Sequence, residues 1–195
     1  VGKILIYGGA FDPVTIAHEQ VVHKSSELVM FDEVWIMPCY THMFGKQMSS
    51  SEARLEMCYR LKDSVGGKVR VTDFEITSGK NLSTYDLLRS LRSHFPNAEF
   101  YLGIGSDNLR VFDTWKNYKA LAKNFGLVVF ERPGYESNGP DIEYKDLIKV
   151  ETDSEINISS TMIRKFMVEG KIEEAKALMP EYIWPIVERE NLYHG

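Results

Sequence analysis

The residues best suited to chemistry stand in one run near the start of the chain: Gly8, Gly9, Ala10, Phe11, Asp12, Pro13, Val14, Thr15, Ile16, Ala17 and His18. Paired glycines let a backbone approach a ligand closely, Pro13 stiffens the turn, and Thr15 is placed to open a helix whose first NH groups face anions. His18 follows Thr15 by three positions, so both lie on one side of the first helical turn. A hydroxyl and an imidazole directed at one small volume form an anion clamp suited to phosphate. The plainer alternative is a strand-to-helix turn with a capping Thr and an incidental His, and the density of the pattern argues against it.

A second run lies far downstream: Ile158, Ser159, Ser160, Thr161, Met162, Ile163 and Arg164. Hydroxyls and NH groups at a helix start wrap phosphate oxygens, and Arg164, four residues after Ser160, projects over the same face. Alone, such an opening is usually only a cap. Coupled to the first run, it makes two anion sites that converge. The other common nucleotide cradles are absent: there is no G-x-G-x-x-G and no G-x-x-x-x-G-K-S/T. His18 and His23 flank Glu19, but five residues put them about 140° apart around a helix, which excludes the metalloprotease pattern.

The elements that must position these runs can be read from periodicity. Apolar, β-rich segments recur at residues 4–7, 33–37, 69–74, 99–102 and 127–130, with helix-like segments at 16–30, 51–64 and 84–93, a short pair between 107 and 123, and a helical group from 160 onward. That alternation predicts an α/β fold: a doubly wound parallel sheet of five to six strands with a C-terminal helical segment. Ser51 and Ser83 read as helix caps, the latter with Asp86 in the capping-box position, and Pro180 as the opening of the final helix. Residues 133–146, rich in Gly, Pro, Asn and acids, read as a surface loop. In such sheets ligands bind beyond the carboxyl ends of the strands, where both runs would lie.

Composition bounds the rest. With 195 residues, 44% of them apolar, the chain can bury a core without disulfides, and its length suits one domain over 1–195. Its two cysteines, Cys39 and Cys58, are too few for an extracellular disulfide framework, so a reducing, cytoplasmic setting is expected. No apolar run is long enough for a membrane span. A net charge of −5 argues against a nucleic-acid partner, and the basic residues between Lys116 and Lys123 alternate with apolar ones as on a solvated helix face. A homo-oligomer is compatible with the sequence.

The run Thr15, Ile16, Ala17, His18 resembles the T/H-x-G-H signature of the nucleotidylyltransferase superfamily, with Ala17 where the signature has glycine. The run from Ile158 to Arg164 resembles that superfamily's ISSTxIR segment. The stretch GIGSDNLRVFDTWKNY, followed by VVFERPGY, is similar to nicotinate and nicotinamide mononucleotide adenylyltransferases, whose G-x-D, T-W and R-P-G elements occur in this order. The resemblance implies a Rossmann-like sheet and transfer of the adenylyl group of ATP to one of these mononucleotides. It places ATP at Gly8, Gly9, Ala10, Phe11, His18, Gly105, Asp107, Ile158, Ser159, Ser160, Thr161 and Arg164. The mononucleotide falls at Thr84, Tyr85, Trp115 and Arg132. Asp107, after the fourth strand, is placed to bond a ribose, and Trp115 offers an aromatic face to a pyridinium ring.

Lys46, within FGKQM, resembles the G-K element of eukaryotic-type members, with Gln47 where the family has a second lysine; His42 falls in the same stretch. His18, Thr15, Arg164 and Lys46 are thereby the candidates for catalysis. The acceptor phosphate is already a nucleophile, so positioning and charge stabilisation dominate, and Mg²⁺ is expected to arrive with ATP and not in a dedicated metal cluster. Three rivals are weaker. Phosphopantetheine adenylyltransferase lacks the T-W and R-P-G elements, a related aminoacyl-tRNA synthetase needs a tRNA-binding domain for which there is no room, and a non-catalytic nucleotide-binding module has no need of both anion runs.

Overall fold

The protein is described from a computed structural model, over residues 2–40, 48–131, 138–152 and 158–194. In chain order the elements are β1 (Gly2–Gly9), α1 (Ile16–Glu27), β2 (Glu33–Pro38), α2 (Ser51–Val65), β3 (Val69–Val71), α3 (Phe74–Ser78), α4 (Thr84–His94), β4 (Ala98–Gly105) and α5 (Ser106–Arg110). A 3₁₀ turn at Phe112–Thr114 precedes α6 (Tyr118–Asn124), β5 (Gly126–Glu131), β6 (Leu147–Glu151), α7 (Ser160–Val168), α8 (Ile172–Lys176) and α9 (Trp184–Arg189).

Among the described residues the strands form one six-stranded sheet, ordered β3-β2-β1-β4-β5-β6, and every neighbouring pair is parallel. This is the doubly wound Rossmann-like arrangement. Alternate strand residues serve opposite faces. Leu5, Val34, Ile36, Tyr101 and Val128 pack into a core with α1, α2 and the helices after β6, while Ile4, Ile6, Phe100, Leu102 and Leu127 pack with α4 and α6. Strand order reverses between β1 and β4, which pair from Gly2↔Ala98 to Tyr7↔Gly103. The two glycine-rich strand ends therefore open side by side at the switch point, where this class of sheet binds ligands.

Several boundaries and one strand differ from the sequence reading. Ser50, not Ser51, caps α2, its hydroxyl accepting from the Ala53 NH at 3.1 Å. The strand expected over 69–74 stops at Val71, because Asp73 leaves the extended region (φ −94°, ψ 14°) and Phe74 opens a helix. The last helix begins at Trp184; Pro180 instead opens the turn before it, its carbonyl accepting from the Ile183 NH at 2.9 Å. The sixth strand, β6, escaped notice because it lies at the sheet edge with exposed and half-buried residues alternating, and its charged Lys149 and Glu151 mask the apolar pattern. Ser83 does cap α4, and its hydroxyl donates to Asp86 at 2.7 Å.

Candidate active site

The loop from β1 to α1 is held in an uncommon conformation. Phe11 has φ 51°, a left-handed value that bulky residues avoid, yet it is 1% exposed and packed edge-on to Tyr7 at 5.7 Å. Such a conformation persists only where surrounding contacts over-determine it. Those contacts come from distant parts of the chain. The Arg54 guanidinium, 1% exposed, donates to the carbonyls of Ala10 (3.1 Å), Cys39 (2.8 Å) and Ser49 (3.2 Å). Arg164 donates to the Asp12 carbonyl and Ser160 to the Pro13 carbonyl (2.8 Å). The buried Asp12 carboxylate accepts from the Tyr193 hydroxyl (2.7 Å) and the Ser49 NH (3.3 Å). Both anion runs therefore meet, with the start of α7 docked against the first loop.

At the start of α1, Thr15 and His18 bond each other. The Thr15 hydroxyl accepts from the His18 NH (3.2 Å), and the Thr15 NH donates to His18 Nδ1 (3.0 Å), a capping box with histidine in the place usual for glutamate. An Nδ1 that accepts a backbone NH carries no proton, so the neutral ring holds its hydrogen on Nε2. The imidazole is further fixed by Phe11 and Tyr7, at ring distances of 5.0 and 6.2 Å. Thr15 is fully buried and so acts on His18, not on a ligand. The expectation that the first NH groups face an anion also needs correction: those of Thr15 and His18 are used in the capping box, and that of Ile16 donates to the Leu178 carbonyl at 3.1 Å.

A cleft of about 420 Å³ opens between the ends of β1 and β4. Gly8, Gly9, Ala10 and His18, at the end of β1 and the start of α1, line it together with Gly103 and Gly105 from β4, and so do Thr84, Trp115, Leu82 and Leu87. Trp115 is steadied by Phe112, 5.4 Å away ring to ring. Its neighbour Lys116 reaches Asp86 on α4 at 3.0 Å, so the lysine assigned to a solvated face joins the segments that carry Trp115 and Thr84.

Other expected residues lie elsewhere. Phe11 is buried beneath the loop. Tyr85, one position beyond Thr84 and so turned by about 100° on the helix, does not line the cleft but faces Phe125 at 6.4 Å. Asn108 lines the cleft where Asp107 was expected. Ile158 is buried, and Ser159 spends its hydroxyl capping α7 through the Met162 NH at 3.2 Å. The exposed Thr161 accepts from Arg164 at 3.1 Å. Lys46, His42 and Arg132 lie outside the described residues.

Sequence reading gave no part in the site to Arg54, Cys39 or Glu75, and named Asp12 only as a member of the first run. Glu75, 8% exposed, lines the cleft and accepts from the Tyr40 NH at 3.2 Å. Burial pushes its carboxyl above the ordinary range, against the opposing pull of the Tyr40 NH and Arg54. Burial likewise raises the Cys39 thiol, with Glu75 adding to the effect, so Cys39 is not a ready nucleophile. The signal available for Arg54 was its place on the apolar face of α2, three residues from both Ser51 and Met57.

Among the described residues no group of three His, Cys, Asp or Glu side chains could hold a metal, and no helix is long and apolar enough to cross a membrane. The cytidylyltransferase-like family model matches residues 6–166. A Clostridium perfringens relative described as a "probable nicotinate-nucleotide adenylyltransferase" is 32% identical over 98% of both chains. A Listeria welshimeri relative with the same description is 30% identical over 98% of this chain and 97% of its own. The solved Plasmodium falciparum nicotinic acid mononucleotide adenylyltransferase, complexed with NaAD, superposes with a TM-score of 0.85 at 26% identity, covering 99% of this chain and 98% of that one. This chain belongs to the cytidylyltransferase-like family, among its nicotinate-nucleotide adenylyltransferases.

Proposed function

We propose that the chain transfers the adenylyl group of ATP to nicotinate mononucleotide, releasing pyrophosphate and forming the dinucleotide. One observation carries this reading: a single cleft at the β1/β4 switch point joins glycine-rich strand ends and a fixed imidazole to an aromatic wall at Trp115 and Thr84. Nicotinate is preferred to nicotinamide because the relatives above carry it in their descriptions.

The acceptor's 5′-phosphate attacks the α-phosphorus of ATP in line, the bond to the bridging oxygen breaks, and pyrophosphate leaves with that electron pair. The attacking oxygen is already anionic, so no base is needed. His18 donates from Nε2 to an α-phosphate oxygen as charge builds, and the capping box holds the ring ready for that contact. Arg164 at the start of α7 meets the outer phosphates, together with Lys46. Magnesium enters as part of Mg-ATP, using substrate phosphates and water for most of its ligands. Thr84 meets the pyridine substituent, and Trp115 stacks on the cationic ring.

The test is pyrophosphate release from Mg-ATP with nicotinate mononucleotide, nicotinamide mononucleotide and phosphopantetheine offered separately. Fastest turnover with nicotinate mononucleotide supports the reading. Preference for nicotinamide mononucleotide reverses the acceptor, and turnover with phosphopantetheine alone removes the pyridine assignment altogether.

A further inference from the structure

The segment after α9 returns to the phosphate loop in a way that neither anion run requires. Asn191 and Tyr193 both take left-handed backbone values, φ 49° and 63°, and that path brings the Tyr193 hydroxyl to the Asp12 carboxylate at 2.7 Å. Asp12 is 2% exposed, and its other partner, the Ser49 NH, is more distant at 3.3 Å from each oxygen. A buried carboxylate held by so few donors would take any cation within reach. One within reach is Arg164, whose guanidinium already bonds the backbone carbonyl of Asp12. The electrostatics agree: burial first, then the Asp12 charge, drive the Tyr193 phenol upward, so it remains a donor, while Arg164 pulls the other way.

We propose that Tyr193 is a positioning residue for the ATP site: by donating to Asp12 it keeps that carboxylate from capturing Arg164, leaving the guanidinium to the outer phosphates. The inference rests on the reading that the first loop and α7 hold ATP. It requires no contact between Tyr193 and substrate. The mononucleotide wall at Thr84 and Trp115 belongs to other elements and is not touched.

The test compares wild type with Tyr193→Phe, which removes one oxygen and keeps the ring. Calorimetric Kd for Mg-ATP and KM for nicotinate mononucleotide are measured at a temperature where melting curves show both chains folded. The expected result is an ATP Kd raised about 5-fold with the mononucleotide KM unchanged. Leu192→Ala is the control: it trims the packing of the same segment and leaves the hydroxyl in place, so it should lower the melting temperature and keep the wild-type ATP Kd. Equal ATP Kd values for Tyr193→Phe and wild type overturn the proposal, as does an equal loss in Leu192→Ala. A wild-type chain that binds ATP without turning over the mononucleotide defeats the substrate reading alone; one that binds no ATP defeats both.

Discussion

The two ends of the cleft are built in different ways. At the phosphate end, the loop carbonyls of Ala10, Asp12 and Pro13 accept from Arg54, Arg164 and Ser160, which lie 44, 152 and 147 positions away in sequence. At the pyridine end, Thr84 and Trp115 are joined through an exposed pair, Lys116 with Asp86 at 3.0 Å, and otherwise through apolar packing. Exposed pairs of this kind contribute about 0–1 kcal/mol. Phosphates and their transition-state charge demand fixed donors, whereas a flat ring needs a face and tolerates small shifts. On the proposed function, rigidity is therefore concentrated where charge would develop.

The largest test of that contrast is Arg54→Ala. It strands carbonyls of Ala10, Cys39 and Ser49 in a buried site and leaves a void, at a cost of about 3 kcal/mol or more. For a chain of this size that lowers the melting temperature by roughly 6–12 °C. A fall of only a degree or two would mean that the loop does not depend on its buried guanidinium. Next comes His18→Ala, expected to reduce kcat by at least ~100-fold, about 2.7 kcal/mol, with the far-ultraviolet circular dichroism unchanged. Unchanged turnover would take the imidazole out of the mechanism.

Trp115→Ala probes the other end. Loss of one stacked ring should raise the mononucleotide KM about tenfold, the effect of roughly 1.4 kcal/mol, and leave the ATP KM alone. If both constants rise together, the two ends are not separable and the contrast fails.

The phosphate end was the more legible in sequence, because its functional residues sit in contiguous runs whose spacing meets a helix start. Thr15 and His18 emerged as a pair, although their hydrogen bonds turned out to join them to each other. The supports were less legible. Asp12 and Tyr193 are 181 positions apart, and nothing local in either segment announces the contact. Arg54 stands on the apolar face of α2 with Met57 and Cys58, a signal of burial that does not say what the guanidinium holds. Glu75 lies just past the stretch read as strand, in a short helix that was not anticipated, so its turn into the cleft could not be foreseen. Edge strand β6, lacking a fully buried residue, gave no periodic signal strong enough to detect.

Glu75 supplies the smallest effect and a check on the cleft wall beside Tyr40, Cys39 and Arg54. Its folded carboxyl is raised by burial, so between the ordinary glutamate value and the raised one the folded state holds more proton than the unfolded state. Its contribution to stability is therefore fully present below the unfolded value and is lost as pH rises through the folded one. Glu56, Asp86 and Glu99, held low by hydrogen bonds from Arg189, Ser83 and Lys145 respectively, slope the opposite way. Glu75→Gln isolates the one group, since its amide oxygen can still accept from the Tyr40 NH and the other carboxylates are common to both chains. The melting temperature of the variant relative to wild type should climb as pH goes from 4 to 8. Parallel curves over that range would place the Glu75 carboxyl in contact with water, and the cleft wall beside Tyr40 and Cys39 would then be wetter and looser than its packing implies.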